Sequence, residues 1–422
     1  EGGAVDKTPR MRKGQSTNFD EVRVTSRKAS TRYRLKQGDI SQPLRKELDA
    51  LARYLTKPHL MQQERRVKSV TAAKYEDVLC GLLGWLHHIE GVPLEDLSLS
   101  LAFPSPERAS AETAFQHTQW LFEERGCAPS TVVTALRGCI AAAKYLYHGS
   151  LDLKGQDKRQ GAIPYSEIPL VQELRKLTND AKAAMKVAPP VADEGKKWMT
   201  WPEFVRCAER LYLECAPLRH GGGRRTPSAV AWSMQKFLIF SIFACVPDRQ
   251  RTIRELAVGT TLKKDGNTWY ISHGPDDYKT GREYGARPPL VISSHIYPAL
   301  EDFIANHRPA LVGEEEEHPF LFSQKNGRPF TDVTFYRLFT TTAYRLTGKR
   351  TNPHLVRDMI VTHLRSGDAS EKQLEALAIY MGHSLTEQKR TYDRRTKAEK
   401  VAPAVALLQQ VNFEAGAASG GR

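Results

Sequence analysis

Residues 354–392 read HLVRDMIVTHLRSGDASEKQLEALAIYMGHSLTEQKRTY, and their pattern is the most informative in the chain. His354 and Arg357 lie three residues apart, so on a helix their side chains share one face. His383 follows a glycine that fits the C-terminal end of a helix, which places the imidazole in a loop. Tyr392 comes nine residues later, among basic residues. Each piece alone occurs often by chance, and only the joint spacing is informative.

The order and spacing of these pieces resemble the tyrosine recombinase (phage integrase) family of DNA breaking-rejoining enzymes. The family signature is His-x-x-Arg, a later Gly-His, and a Tyr nine residues after that His. This sequence matches it at His354, Arg357, Gly382, His383 and Tyr392. The resemblance implies that these residues form one catalytic site.

The resemblance also implies a fold that is mainly α with a small antiparallel sheet. An N-terminal helical core-binding domain would precede an α+β tyrosine recombinase catalytic domain at 199–413. The apolar pattern of that second domain agrees, because it predicts a hairpin at Thr260–Ile271 and a third strand at Pro289–Ile292. The same pattern predicts helices near 201–215, 227–245, 294–307, 331–346, 353–366, 371–381 and 401–411.

The remaining chain is predicted to have four parts. Residues 43–150 show four amphipathic segments, which indicate a small helical domain, and the resemblance implies that this domain binds DNA. Residues 1–42 carry ten Lys or Arg against five Asp or Glu, so we expect a flexible basic arm. Residues 151–198 are predicted to be a linker that contains one helix, and 414–422 a flexible tail.

The family places a second catalytic arginine after the buried helix of the catalytic domain, usually as T-G-L-R followed by E-L. Aligning Val246–Arg249 on T-G-L-R selects Arg249, whereas aligning back from Glu255-Leu256 points near Arg251. We expect Arg249 to be the catalytic residue and keep Arg251 as the alternative. Glu255 is then either a supporting acid or an ordinary helix residue.

The family also places a catalytic lysine in a turn of the small sheet. Lys279, in Tyr278-Lys279-Thr280-Gly281, matches the K-T-G turn of the family, and Lys263 and Lys264 are the other candidates.

These residue types suit transesterification at a phosphodiester. Two guanidiniums can bind the phosphate oxygens bidentately without deprotonating, and His383 can donate a further hydrogen bond. Tyr392 is the expected nucleophile, with His354 as the candidate acceptor of its proton. Lys279 would protonate the leaving 5′-oxygen. No ATP motif or paired acidic metal site is found, so we expect no cofactor and no metal.

Composition favours a nucleic-acid partner. The 422 residues hold 62 Lys and Arg against 48 Asp and Glu, a net charge of +14. No apolar run is long enough to predict a membrane span. Six scattered cysteines without C-x-x-C spacing fit reduced thiols in an intracellular protein, and the resemblance implies that it acts on DNA there. The family resemblance implies double-stranded DNA as partner and a homo-tetramer on paired sites.

The predicted function is a site-specific DNA recombinase, the integrase or transposase of a mobile element, that acts through a covalent 3′-phosphotyrosine. Three alternatives stay open: a type IB topoisomerase, a telomere resolvase, and a non-catalytic DNA-binding regulator on the same fold.

Overall fold

The computed structural model describes residues 33–57, 66–147, 165–188, 193–219, 221–275, 277–278, 281, 285–312, 318–405 and 407. The chain divides into two compact units, Glu1–Val191 and Ala192–Arg422. The described residues are mainly helical, with one three-stranded antiparallel sheet in unit 2. The predicted fold class, mainly α with a small antiparallel sheet, is confirmed.

Unit 1 is built from helices that enclose one apolar core. Leu44, Leu48 and Leu51 recur at three- and four-residue spacing and are all buried in it, as their periodicity predicts. The helices of the unit are Gln42–Thr56, Ser69–His88, Leu99–Ala102, Glu112–Glu123, Pro129–Tyr147 and Pro169–Val187.

The helix expected inside the 151–198 linker is Pro169–Val187. Its residues Leu170, Val171 and Leu174 are fully buried in the core of unit 1. This helix is therefore an integral part of unit 1, and the division between the two units falls after Val191. The other domain boundaries remain predictions.

Residues 33–41, the end of the predicted basic arm, pack on unit 1. Leu35 is buried in its core, and the Leu35 amide donates to the Cys80 carbonyl at 3.2 Å. This backbone crosses the helix Ser69–His88 at Gly84, where an added Cβ would lie 2.0 Å from the Tyr33 carbonyl oxygen. Residues 1–32 of the arm lie outside the described residues.

We expect Gly84→Ala to destabilise unit 1, because a methyl group there collides with backbone that cannot swing away. Gly81→Ala is the matched control one turn earlier, where the nearest atom would be at an ordinary 3.6 Å. An alanine there should stabilise the helix by about 0.5–1 kcal/mol. Urea unfolding followed by tryptophan fluorescence measures both, and equal shifts for the two variants would contradict the packing described.

Unit 2 contains the remaining helices and the sheet. Its helices are Trp201–Leu213, Pro227–Cys245, Gln250–Arg254, Tyr297–Asp302, Pro309–Val312, Asp332–Thr347, Leu355–Ser366, Glu371–Tyr380, Leu385–Glu387 and 397–405. The helix expected at 294–307 is divided into a 3₁₀ turn, Ser294–Ile296, the helix Tyr297–Asp302 and a π turn, Phe303–His307.

The helix Pro227–Cys245 runs through the core of unit 2. Among the described residues it is the one helix long and apolar enough to cross a membrane. Leu238, Ile242 and Phe243 are fully buried against neighbouring elements of the unit, which explains the apolar composition without a membrane.

The sheet consists of β1 (Leu262–Asp265), β2 (Thr268–Ile271) and β3 (Leu290–Val291) in that order. Leu262 pairs with Ile271, and Ile271 pairs with Leu290, so the three side chains align on the core face. The sheet is thereby fixed to the core.

Candidate active site

The candidate site forms where the helix Pro227–Cys245 ends. The chain turns through Pro247 and Asp248, and Arg249 immediately precedes the short helix Gln250–Arg254. The helix Leu355–Ser366 brings Arg357 to the same place, since the Arg357 Nη1 donates to the Pro247 carbonyl at 3.1 Å. Residues more than a hundred positions apart in sequence therefore meet here.

Arg357 is fully buried and is held by backbone on two sides. Besides the bond to Pro247, its Nη2 donates to the Met381 carbonyl at 3.0 Å. Its Nη1 lies 3.5 Å from the Asp248 Oδ1 atom. The two carbonyls fix the plane of the guanidinium, while the carboxylate contact is long for a charged hydrogen bond.

Tyr392 packs against the predicted partners. It lies in a π turn, Gln388–Tyr392, and only 4% of its surface is exposed. Its ring stacks on His383 with the centroids 4.8 Å apart, and the Arg357 Cζ atom lies 4.9 Å from the Tyr392 ring centroid. His354, exposed at the start of the helix Leu355–Ser366, has its ring centroid 6.1 Å from that of Tyr392. The four side chains share one site.

Burial lowers the pKa of His383 to about 4, with a further contribution from the neighbouring Arg357 and Arg249 guanidiniums. The imidazole is therefore neutral at neutral pH. Its Nδ1 lies 3.2 Å from the Ser384 carbonyl, which can only accept, so Nδ1 carries the proton. The buried Nε2 atom has no partner within the described residues.

The two arginine candidates differ in their surroundings. Arg249 is near enough to Arg357 and His383 to lower the pKa of both groups. Its buried Nη1 atom has no partner among the described residues. Arg251 is exposed, and its Nε donates to the Glu255 Oε2 atom at 2.8 Å. The structure thus brings Arg249 to the site and pairs Arg251 with Glu255.

Glu255 and the lysine candidates contribute less to this geometry. The second oxygen of Glu255 accepts from Arg254, so both oxygens are used on its own helix rather than on Arg357 or Tyr392. Lys279 lies outside the described residues. Of the other lysines, Lys264 pairs with Glu301 at 2.8 Å on the sheet.

Two buried charges near Arg357 were not predicted as site residues. Asp248 is 1% exposed and Arg287 is 8% exposed, and they form an ion pair. Burial opposes ionisation of Asp248, but Arg287 and Arg357 outweigh it and hold the pKa of this carboxyl below its ordinary value. The sequence signal that could have identified Asp248 is its place in the T-G-L-R alignment, where the family pattern has Leu.

The segment that carries Tyr392 is tied to the helix Leu355–Ser366. Thr362 Oγ1 donates to the Tyr392 carbonyl at 3.3 Å and accepts from the Arg394 amide at 3.0 Å. The Arg394 Nε donates to the Asp358 Oδ2 atom at 2.8 Å. Burial raises the pKa of Asp358 to about 6 despite this partner. Tyr392 is therefore positioned by the helix that also carries Arg357.

No protein-family model matches the sequence, and no curated protein matches it. Among solved structures, the chain is similar to the Tn1549 transposon integrase in complex with circular intermediate DNA, at 17% identity and a TM-score of 0.47, over 85% of this chain and 98% of that one. It is also similar to the XerH site-specific recombinase bound to its difH substrate, at 12% identity and a TM-score of 0.46, over 86% and 97%. The XerA recombinase matches at 12% identity and a TM-score of 0.34, over 84% and 95%. Likenesses of this degree assign no activity and no residue role to this chain.

The pKa of His383 tests whether Arg357 faces this imidazole. In the folded wild type its ring protons should titrate near pH 4, below the ordinary 6.5, by NMR. Arg357→Met removes one of the causes of the shift, so the midpoint should rise. Arg251→Met is the matched control and should leave it unchanged. Equal midpoints in wild type and Arg357→Met would contradict the geometry.

Proposed function

We propose that the chain is a tyrosine recombinase that cleaves and rejoins DNA strands through a covalent bond to Tyr392. The observation that carries the proposal is the packing of Tyr392 against Arg357 and His383, with Arg249 close to both. A phenol packed against one guanidinium and one imidazole, with a second guanidinium near those two groups, suits attack on a phosphodiester, because such groups can bind the charge that develops on the phosphate oxygens.

The reaction balances without a cofactor. The Tyr392 oxygen forms a bond to phosphorus and loses its proton, for which His354 is the candidate acceptor. The bond from phosphorus to the 5′-oxygen breaks, and that oxygen gains a proton, which we assign to Lys279. The 3′-phosphotyrosine keeps the energy of the broken ester, so a 5′-hydroxyl of another strand can attack and restore a phosphodiester.

His383 requires a proton for its predicted role. Its neutral form donates from Nδ1 to the Ser384 carbonyl, so Nε2 can only accept. A phosphate placed beside Nε2 would favour the imidazolium, which can then donate to a phosphate oxygen. DNA binding and protonation of His383 are therefore coupled in this proposal.

The biological setting we propose is that of a mobile element. The chain would act as its integrase or transposase, on double-stranded DNA inside the cell and as a homo-tetramer on paired sites. The net charge of +14 supports a DNA partner. Val401 and Val405 are exposed four residues apart on the helix 397–405, so this apolar side is available to a second subunit.

A nicked duplex that loses its 5′-hydroxyl fragment after cleavage tests the nucleophile. Wild type should become covalently attached to the 3′ end, and Tyr392→Phe should not, because it lacks the attacking oxygen. Tyr380→Phe, a nearby tyrosine that donates to the Cys245 carbonyl, is the control and should still attach. Denaturing gel electrophoresis detects the adduct, and attachment by Tyr392→Phe would refute the assignment.

The purified wild-type protein also distinguishes the three alternative functions. Relaxation of supercoiled plasmid without a defined site would indicate a type IB topoisomerase, and hairpin products would indicate a telomere resolvase. DNA binding without any adduct would indicate a regulator.

The two arginine candidates give opposite expectations. Arg249→Ala should reduce the single-turnover cleavage rate about 10²–10³-fold, as expected for loss of one oxyanion donor, with DNA affinity nearly unchanged. Arg251→Ala should cleave at close to the wild-type rate, because Arg251 pairs with Glu255 at the surface. Gel shifts and cleavage are measured together on each variant. A cleavage defect confined to Arg251→Ala would reverse the assignment.

A further inference from the structure

Arg357 belongs to a buried cluster of three charged side chains. One carboxylate, Asp248, faces two guanidiniums, Arg287 and Arg357, and the side chains of all three are at most 2% exposed. The two arginines do not share the carboxylate equally. Arg287 Nη1 lies 2.5 Å from Oδ2, and its Nη2 lies 3.4 Å from Oδ1. Arg357 reaches only Oδ1, at 3.5 Å.

The surroundings of Arg287 show a side chain fixed in place. The Tyr278 ring centroid lies 4.4 Å from its Cζ atom, and its own amide donates to the His273 carbonyl at 3.2 Å. On the other side it touches Gly382, where an added Cβ would lie 2.6 Å from the Arg287 Nη2 atom. Gly382 has a φ of +68° and directly precedes His383. Arg287 therefore contacts both Asp248 and the turn at Gly382 that leads to His383.

We propose that Arg287 is a positioning residue that occupies Asp248 so that Arg357 stays directed towards the phosphate. This inference rests on the proposed function for the meaning of Arg357. A buried carboxylate attracts any guanidinium beside it, since screening is weak in the interior. With Arg287 on the carboxylate, Arg357 is held chiefly by the Pro247 and Met381 carbonyls, which orient it without neutralising its charge.

If Arg287 and Arg357 compete for Asp248, the variants below should differ in their rate of DNA cleavage. Arg287→Met leaves Asp248 with Arg357 as its sole cationic partner in the cluster, so Arg357 should move onto the carboxylate. Single-turnover cleavage should then fall about tenfold to a hundredfold, as for an ångström-scale misplacement, with unchanged DNA affinity. Arg287→Lys keeps a cation on Asp248 and should retain most of the rate. Arg345→Met removes an arginine whose partner is Glu214 and should be unaffected.

The double variant Asp248→Asn/Arg287→Met separates positioning from folding. It removes the carboxylate that would capture Arg357, so it should cleave faster than Arg287→Met alone. If the pair serves only to stabilise the fold, the double variant should be no faster than that single variant. Thermal unfolding of each protein shows whether Arg287→Met is folded. If it is not, the proposal predicts that the double variant is folded and cleaves, and an inactive double variant would overturn it.

A second measurement does not depend on cleavage. Inorganic phosphate, titrated into each variant and followed by calorimetry, should bind more weakly to Arg287→Met than to wild type and regain affinity in the double variant. A wild type that forms no DNA adduct would count against the proposed function, while this phosphate series would still decide the role of Arg287. Equal phosphate affinity and equal cleavage in wild type and Arg287→Met would overturn the inference.

Discussion

The site depends on one ionised carboxylate in the interior of unit 2. Taking a carboxylate out of water costs several kcal/mol unless cations surround it. Asp248 has two guanidiniums within reach, and their attraction keeps it charged. Its position, directly before Arg249 and beside Arg357, makes it the point where the core helix, the helix of Arg357 and the chain after β2 converge.

The same interior sets the protonation of the neighbouring groups. His383 is neutral because burial and two guanidiniums disfavour a further positive charge. The unfolded chain binds a proton on this imidazole at a pH where the folded chain does not. Stability therefore falls as the pH decreases from about 6.5 towards about 4. An anion bound beside His383 would oppose this effect, because negative charge favours the imidazolium.

Much of the fold was predictable because the spacing of apolar residues shows which face of a helix or strand is buried. Leu44, Leu48 and Leu51 mark one core-facing helix surface, and Leu262 with Ile271 marks the core face of a strand pair. The joint spacing of His354, Arg357, His383 and Tyr392 selected side chains that lie together. The sequence favoured Arg249 and left Arg251 open, because each fits one alignment. In the structure Arg249 has a buried Nη1 atom, whereas Arg251 is exposed.

Other features could not be read from the pattern. The segment 33–41 is polar and basic in sequence, yet Leu35 is buried, because Gly84 lets its backbone approach the helix closely. The helix expected at 294–307 is divided into a 3₁₀ turn, a short α-helix and a π turn, which apolar spacing alone cannot indicate. Arg287 lies 39 residues from Asp248 and in no motif, so the ion pair between them is a tertiary feature.

The proposed function requires that Tyr392 carries the broken strand. It is tested most directly by mass spectrometry of the covalent adduct formed on a nicked duplex, after nuclease has removed the DNA and trypsin has cleaved the protein. We expect one modified peptide, Thr391–Arg394, with the nucleotide phosphate on the tyrosine oxygen. A nucleotide on any other residue, or a reaction that leaves no protein-linked nucleotide, would contradict it.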